Sequence, residues 1–424
     1  MEEPLLKVHS SCPLCKSHDF VTVLKLQDTP LEDQFLKNIT NQPTYPLELA
    51  LCNECGYVFL PHRISPEASY ADYIYVSGVT VGLRNHYDSY ARQIISDYEI
   101  PGGSLAVDLG SNDGSVLASF KKAGMNVIGV EPAQEIAKKA NEIGLYTIPD
   151  FFSKAVVETI HKSHGQAKVV TANYMYANID EVIGFTNNVG KLLDKKGIFV
   201  IQTGYHPEQM KKMMFDYIYH EHFSYFSVEV IKNLFDKCGL ELVSATKISP
   251  KGGSIRLVGQ IKGGPYLVDE TVEKIIIEER KSGIAETVFF KIFEEKIQKS
   301  KDNLLNTLEY YKQSRLKVVG LGASHSTTTL IYHFGLADYI EYLVDDNVLK
   351  HGRFSPGLNI PVNPVDRLYQ DNIDVAIILA WQHKDTIIKK HSSFLKKGKF
   401  IIPLPEIEIL GINNTSTHEY KAEN

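Results

Sequence analysis

The sequence predicts an α/β protein in which a small N-terminal module precedes two larger domains, each built around a parallel sheet. Three observations predict this organisation. The chain has 424 residues, which is long for a single core. Apolar segments alternate with amphipathic segments in two separate series, a pattern typical of doubly wound sheets. Two C-x-x-C pairs lie ahead of the first series.

The first series begins near residue 104 and the second near residue 315. In the first series, SLAVDLG, NVIGVEP, AKVVTANYM and KKGIFVIQTG predict strands, and SVLASFKKAG and QEIAKKANEIG predict helices. In the second, LKVVGLGAS, IEYLVDDN, IDVAIILAW and KFIIPLP predict strands, and TTTLIYHFGL predicts a helix. A charged stretch over 268–314, with one glycine and no proline, predicts a connector that is either a long bent helix or a helix pair.

Composition excludes several classes of protein. Hydrophobic residues make up 43% and charged residues 23%, as in ordinary globular proteins, and the formal net charge of -6 comes without a basic stripe. We therefore expect no nucleic-acid partner. The first residues, MEEPLLKVHSS, lack a signal pattern, and no apolar run reaches the roughly 20 residues of a membrane helix. We expect a cytoplasmic protein that contacts no membrane, a monomer or small homo-oligomer, with a disordered tail over 413–424.

Four of the five cysteines form two knuckles, Cys12 with Cys15 and Cys52 with Cys55. Paired thiolates at this spacing suit tetrahedral zinc, and four soft ligands leave no open coordination position, so the predicted role is structural. Two unrelated buried pairs are the alternative. A redox pair is disfavoured because neither knuckle opens a βαβ unit. The metal is expected to stabilise a module that is too small to have a core of its own.

A glycine-rich turn, VDLGSNDGSVL, follows the first strand of the first series. Its glycines allow a tight turn, and its two aspartates repel a pyrophosphate but suit a cationic ligand with an amino group. Glu131 ends the next strand, where an acid can accept both ribose hydroxyls. These features are typical of a class I methyltransferase domain that holds S-adenosylmethionine, and a turn without a ligand is the alternative. The predicted cofactor contacts are Asp108, Gly110, Ser111, Asn112, Asp113, Gly114, Glu131 and Asn173.

The turn LGASHSTTTL opens the second series. Gly322 and Ser324 lie at a predicted helix start, where backbone N–H groups and hydroxyls can hold a phosphate, and Asp345 ends the next strand. A nicotinamide dinucleotide, a nucleoside diphosphate and a purely structural turn all fit this pattern.

The segment YIYHEHFSYFS places His220, Glu221 and His222 within an aromatic run. Three interpretations fit these residues. The histidines could ligate a metal, although no third ligand is obvious nearby. They could be hydrogen-bonded in a packed aromatic wall. They could also do acid–base work, with the glutamate fixing a histidine tautomer and Tyr219 or His220 donating to an oxyanion.

Taken in order, the two knuckles, VDLGSNDGSVL and YHEHFSYFS resemble the sugar C-methyltransferases of antibiotic and surface-polysaccharide pathways, over roughly residues 10 to 410. PKGGSIRLVG and PGLNIPV resemble two further elements of that family. The resemblance implies an N-terminal zinc-binding module over 1–72 and a class I methyltransferase Rossmann-like domain over 73–250. It also implies a second Rossmann-like α/β domain over 251–412 that holds a nucleotide sugar.

The resemblance further implies methylation of the carbon alpha to the ketone, C3, of a TDP-, GDP- or CDP-linked 4-keto sugar. His222 is then the base, Glu221 orients it, Tyr219 and Tyr75 line the sugar, and His220 supports their hydrogen bonds. The implied substrate contacts are Asn178, His86, Lys251, Arg256, Gly322, Ser324 and Asp345. Two alternatives are an O- or N-methyltransferase acting on a sugar or small metabolite and a nucleotide-binding or NAD-dependent protein with two Rossmann domains.

This chain departs from the family pattern at several positions. Asn178 and Lys251 stand where the family commonly has histidines, and QTGYHP stands where E-x-P-Y is more usual. SHSTTTL replaces a family A-K-G-x-T-L-L element.

Overall fold

The structure is a computed structural model that describes residues 6–65 and 83–411. Its strands, in chain order, are β1 Leu6–Val8, β2 Phe20–Lys25, β3 Glu48–Cys52, β4 Val58–Phe59, β5 His62–Ile64, β6 Leu105–Leu109, β7 Asn126–Val130, β8 Thr147–Ile148, β9 Ala167–Asn173, β10 Leu193–Gly204, β11 Ser224–Tyr225, β12 Leu240–Ile248, β13 Ser254–Ile261, β14 Val318–Leu321, β15 Leu343–Asp345, β16 Arg353–Phe354, β17 Pro361–Pro364, β18 Val375–Ile378, β19 Lys399–Ile402 and β20 Glu408–Leu410.

The described α-helices are α1 Leu83–Asp97, α2 Ser115–Lys122, α3 Gln134–Glu142, α4 Lys154–His164, α5 Val182–Leu192, α6 His206–Lys211, α7 Val228–Lys237, α8 Glu270–Ser282, α9 Thr287–Gln313, α10 His325–Phe334, α11 Arg367–Gln370 and α12 Lys384–Lys390.

The chain forms two compact units. The first unit takes its described residues from Met1–Val21, Ala50–Glu208 and Glu221–Glu286. The second takes its described residues from Thr22–Leu49, Gln209–His220 and Thr287–Asn424.

A seven-stranded sheet in the order β12-β13-β10-β9-β6-β7-β8 is the centre of the first unit. The strands from β10 to β8 run parallel, and β13 runs antiparallel to both β10 and β12. The residues of β6 are all buried, as expected for a parallel strand covered on both faces. The predicted strands and helices of the first series are confirmed. The predicted domain boundary at 250/251 falls in the connection between β12 and β13, which are paired neighbours in this sheet.

The cysteine module contributes short antiparallel pairs to the first unit. β1 pairs with β5, β3 pairs with β4, and β4 pairs on its other edge with β11. Sequence analysis did not identify β11, because a strand of two residues is too short for a period to be visible.

The connector over 268–314 is a helix pair, α8 and α9, which is one of the two predicted forms. Asp269 caps α8 by accepting a hydrogen bond from the Thr271 N–H at 2.8 Å, and Gly283 ends the helix in a left-handed conformation. Within the described part of the chain, no helix is long and apolar enough to cross a membrane.

The second unit contains a seven-stranded sheet in the order β16-β17-β15-β14-β18-β19-β20. Its inner strands are parallel, and an antiparallel strand lies at each edge. Residues of the N-terminal segment join this unit through bridges between Thr29 and Tyr45 and between Leu36 and Phe354. The predicted strands and the predicted helix of the second series are confirmed.

Candidate functional site

The four knuckle cysteines form one cluster in the first unit. Their sulfur atoms all lie within 4.8 Å of one another, with the Cys12 and Cys55 sulfurs 3.7 Å apart and those of Cys15 and Cys52 3.4 Å apart. All four are free thiols. Sulfurs at these separations can surround one ion at the roughly 2.3 Å of a zinc–thiolate bond, so the residues fit a tetrahedral zinc site.

The thiols of this cluster differ in acidity. The Cys55 thiol beside it lowers the pKa of Cys12 to about 5, whereas burial raises the pKa of Cys52 to about 11. Binding by all four sulfurs as thiolates therefore requires that protons leave the cluster.

The predicted cofactor turn joins β6 to α2. Gly110 and Gly114 have φ of 65° and 78°, a region that favours glycine. A Cβ at Gly110 would lie 2.8 Å from the Met175 side chain, and one at Gly114 would lie 2.5 Å from Leu145. The Ser111 hydroxyl is buried without a hydrogen-bond partner among the described residues. The turn's backbone and the packed side chains of Met175 and Leu145 therefore both require glycine here, and the buried, unused Ser111 hydroxyl is the feature that fits a bound ligand.

Glu131 clamps this turn. Its carboxylate accepts from the Asn112 N–H and from the Ala133 N–H, each at 2.8 Å. At the start of α2, the Asp113 carboxylate accepts from the N–H of Ser115 at 3.1 Å and from its hydroxyl at 2.7 Å. Glu131 and Asp113 are therefore both held by hydrogen bonds to the chain around the turn.

Asp108, at the same turn, is fully buried. Burial raises its pKa to about 7, and hydrogen bonds from Thr171 at 2.5 Å and Asn173 at 3.1 Å oppose that rise. Glu131 and Asp113 add to the rise through their negative charge. A cationic ligand would favour the ionised form of this carboxyl group.

A buried hydrogen-bond network extends from Asp108 across the sheet. The side-chain amide of Gln202, in β10, donates to the side-chain oxygen Oδ1 of Asn173 at 2.7 Å, and the Asn173 side-chain amide donates to Asp108. The Gln202 oxygen accepts from the His86 ring at 3.0 Å and lies 3.5 Å from an Arg256 nitrogen. Two predicted cofactor residues and two predicted substrate residues are thus joined through one glutamine.

Strand register explains why these residues meet. Gln202 lies opposite Asn173 of β9 on one side and Arg256 of β13 on the other. Burial lowers the pKa of His86, so its ring is neutral at pH 7 and donates through Nε2. Sequence reasoning did not select Gln202. The available signal was a buried polar residue within the apolar strand IFVIQTG.

Arg256 and Lys251 both lie over aromatic rings in the first unit. The Arg256 guanidinium is 4.7 Å from the Tyr90 ring centroid, and the Lys251 ammonium is 4.2 Å from that of Tyr174. Asn178 ends a short 3-10 turn that follows β9. Its N–H donates to the Met175 carbonyl at 2.9 Å.

The YHEHFSYFS segment lies where the chain passes between the units. Glu221 and His222 belong to the first unit and are half-buried, and the His222 ring lies 6.5 Å from the Tyr225 ring in an edge-on arrangement. Tyr219 belongs to the second unit, with its ring 5.9 Å from that of His325. Tyr75 lies outside the described residues.

His220, in the second unit, is almost completely buried. Its N–H donates to the Glu32 carboxylate at 2.5 Å, and its Nε2 lies 3.1 Å from the Thr29 hydroxyl. The Tyr45 ring packs edge-on at 5.9 Å. These contacts hold the 22–49 segment to the 209–220 segment.

The turn after β14 has its own clamp in the second unit. The Asp345 carboxylate accepts from the Ala323 N–H at 2.6 Å and from the Asn347 N–H at 2.7 Å. Gly322 has φ of 107°. The Ser324 N–H donates to the Thr327 hydroxyl at 3.1 Å in a capping box at the start of α10. The structure thus brings the predicted Gly322, Ser324 and Asp345 together at one turn.

Three family models match the chain. A zinc binding domain matches residues 12–70, a methyltransferase domain matches residues 59–245, and a C-methyltransferase C-terminal domain matches residues 249–405. C-methyltransferase NovU of Streptomyces niveus is 30% identical over 418 residues, which cover 97% of this chain and 100% of that protein.

Solved methyltransferase structures resemble part of the chain. Magnesium protoporphyrin IX methyltransferase (ChlM) from Synechocystis PCC 6803, with bound SAM, is 15% identical over 42% of this chain and 79% of its own, with a TM-score of 0.32. The 1,6-didemethyltoxoflavin-N1-methyltransferase of Burkholderia thailandensis is 16% identical over 46% of this chain and 84% of its own, with a TM-score of 0.33. At these low TM-scores the likenesses add nothing to the assignment.

Proposed function

The chain belongs to the S-adenosylmethionine-dependent C-methyltransferases, and we propose that its acceptor is a nucleotide-linked 4-keto sugar methylated next to the ketone, at C3. The sugar is expected to carry TDP, GDP or CDP. A carbon next to a ketone is acidic enough for a side-chain base to remove its proton, which makes it a suitable acceptor for a methyl cation equivalent.

The cofactor is proposed to bind at the turn after β6. Gly110 and Gly114 would allow the backbone to turn tightly beside the cofactor, and Glu131 would face its ribose. Asp108 and Asn173 would hold its amino acid part. The remaining residues of the turn are Ser111, Asn112 and Asp113. Bound there, S-adenosylmethionine supplies an electrophilic methyl group.

His222 is proposed as the general base. The C–H bond alpha to the ketone breaks, its proton goes to a neutral His222 ring nitrogen, and its electron pair forms the enolate. The enolate carbon then forms the new C–C bond as the sulfur–methyl bond breaks. Glu221, the neighbouring residue in the first unit, would orient the histidine.

Tyr219 and Tyr75 are proposed to line the sugar and to donate to the developing enolate oxygen. His220 would support the position of Tyr219, because its contacts with Glu32 and Thr29 hold that part of the chain in place.

The remaining predicted contacts are assigned to the nucleotide sugar. In the first unit, His86 and Arg256 adjoin the Gln202 network, and Lys251 and Asn178 lie on neighbouring turns. In the second unit, the turn of Gly322 and Ser324 with Asp345 would hold the diphosphate or ribose.

The observation that carries this proposal is the buried network from Asp108 through Asn173 and Gln202 to His86 and Arg256. It supports the proposal because residues expected to hold the methyl donor and residues expected to hold the acceptor share one rigid hydrogen-bond system. Methyl transfer requires the two reactants to be held in line at close range.

Product analysis tests the proposal. The full chain is incubated with S-adenosylmethionine and TDP-, GDP- and CDP-linked 4-keto-6-deoxyhexoses, and products are characterised by mass spectrometry and NMR. We expect one added methyl group on the carbon next to the ketone, with one nucleotide preferred. A methyl group on oxygen or nitrogen would overturn the proposal in favour of O- or N-methylation, and no turnover of the panel would exclude these acceptors.

A further inference from the structure

Cys52 and Cys55 lie in the turn of a β-hairpin in the first unit. β3 ends at Cys52, and β4 begins three residues after Cys55 and pairs with β3. Across the turn, the Cys52 N–H donates to the Tyr57 carbonyl at 3.0 Å, and the Gly56 N–H donates to the Cys52 carbonyl at 2.9 Å. An ion held by the cysteines would therefore fix the point from which β4 starts.

The other edge of β4 carries the segment that follows His222. Ser224 and Tyr225, which form β11, lie opposite Phe59 and Val58. The Leu60 N–H donates to the Phe223 carbonyl at 3.0 Å. The residue next to His222 is thus hydrogen-bonded to the residue that directly follows β4, the strand that leaves the cysteine turn.

Two buried side chains reinforce this connection. The Tyr57 hydroxyl is hydrogen-bonded to the Ser224 hydroxyl, and both residues are buried. Arg63, only 1% exposed, donates to the Leu60 carbonyl at 3.2 Å, and its guanidinium carbon lies 5.2 Å from the Phe223 ring centroid. Arg63 is in turn anchored by the Asp180 carboxylate at 2.8 Å.

We propose that the cysteine hairpin positions Glu221 and His222 through β4 and β11, so that zinc binding governs the placement of the base. Tyr57 and Arg63 act as positioning residues in this arrangement. The catalytic part of this inference rests on the proposed role of His222. The effect on turnover is expected to be large, because a displacement of about 1 Å at a reacting group can cost about 10²-fold.

Hydrogen–deuterium exchange of the full chain tests the link without any acceptor. Uptake is compared between zinc-loaded and chelator-treated protein for peptides covering 221–227 and 105–117. We expect faster uptake in 221–227 after zinc removal, restored by added zinc, with 105–117 unchanged and S-adenosylhomocysteine affinity within about twofold. Unchanged uptake in 221–227, or an equal rise in both peptides, would overturn the proposal.

Tyr57→Phe tests the same link with all cysteines retained, and Tyr310→Phe, which removes an exposed hydroxyl, is the matched control. Loss of the Ser224 hydrogen bond should raise uptake in 221–227 and lower kcat about tenfold at unchanged KM and zinc content. Tyr310→Phe should change neither. Normal uptake and kcat in Tyr57→Phe would contradict the inference.

The two proposals fail separately in these experiments. If zinc removal and Tyr57→Phe loosen 221–227 but His222 proves dispensable for turnover, the positioning link stands and the base assignment fails. If His222 is essential but 221–227 is indifferent to zinc and to Tyr57, the link fails and the base assignment stands.

Discussion

The turn after β6 in the first unit and the turn after β14 in the second are built in the same way but differ at one position. In each, an acid at the carboxyl end of the next strand, either its last residue or the one directly after it, accepts one N–H from the glycine turn and one from the residue two positions after itself. Glu131 does this for Asn112 and Ala133, and Asp345 does it for Ala323 and Asn347. The clamp is therefore a device of the fold rather than evidence for one ligand.

The difference lies two residues before the first glycine of each turn. Asp108 stands there in the first unit, buried and joined to the Gln202 network, whereas Gly320 stands there in the second. A Cβ at Gly320 would lie 2.5 Å from Leu379 and 2.6 Å from Leu343, so that space is filled by apolar side chains. A buried acid suits a cationic ligand and an uncharged position suits a phosphate, which agrees with the proposed division of ligands between the units.

The largest expected effect on the free energy of unfolding comes from adding a methyl group at the first glycine of a turn, Gly322 or Gly110. In Gly322→Ala, the new Cβ would lie 2.8 Å from the Ala380 Cβ and 3.1 Å from its backbone nitrogen, and residue 322 has a φ of 107°. We therefore expect a loss of about 2–6 kcal/mol in unfolding free energy. In Gly110→Ala, the flexible Met175 side chain can move away, and the loss should be smaller. Denaturant unfolding measures both, and an equal or larger loss in Gly110→Ala would contradict this comparison.

Asp108 should make the stability of the fold depend on pH, whereas Gly320, at the matching position of the second turn, has no side chain that titrates. Its folded pKa of about 7 lies above its unfolded value, so the folded state binds the extra proton between about pH 4 and pH 7. The unfolding free energy of the wild type, relative to Asp108→Asn, should therefore fall by up to about 4 kcal/mol as pH rises through this range, and change no further above it.

The measurement is denaturant unfolding of both proteins at several pH values, with a variant of the exposed Glu142, Glu142→Gln, as control. A difference that stays constant between pH 4 and pH 7 would mean that Asp108 is ionised throughout.

Replacing the clamp acids should give the smallest loss of stability. The two replacements should also differ in their effect on cofactor binding. Glu131→Gln and Asp345→Asn each leave an amide N–H facing a backbone N–H, at a cost of about 1–3 kcal/mol in unfolding free energy. Only Glu131→Gln should also weaken S-adenosylhomocysteine binding, measured by calorimetry. Asp338→Asn, at an exposed position, is the control. Equal loss of S-adenosylhomocysteine affinity in both clamp variants would contradict the assignment of the cofactor to the first turn.

The sequence predicts well the features that local chemistry determines. The strands around VDLGSNDGSVL and LGASHSTTTL are buried apolar runs that end at glycines, and the four cysteines carry their ligand chemistry in their spacing. Each of these patterns can be recognised from a few consecutive residues.

Features that depend on pairing between distant residues escaped prediction. Gln202 became part of the site only through its register with Asn173 and Arg256. β11 exists because β4 offers it an edge, since two residues have no strand periodicity of their own. The role of Tyr57 and Arg63 beside Phe223 likewise depends on a contact between segments more than a hundred residues apart.

The most direct test of the central claim is the exchange of the hydrogen alpha to the ketone in heavy water. The wild type and His222→Asn are each incubated with S-adenosylhomocysteine and TDP-4-keto-6-deoxyglucose, and deuterium at C3 is followed by NMR. We predict exchange by the wild type and a rate about 10²–10⁴-fold lower in His222→Asn, with cofactor affinity unchanged. Exchange at the wild-type rate in His222→Asn would contradict the assignment of His222 as the base.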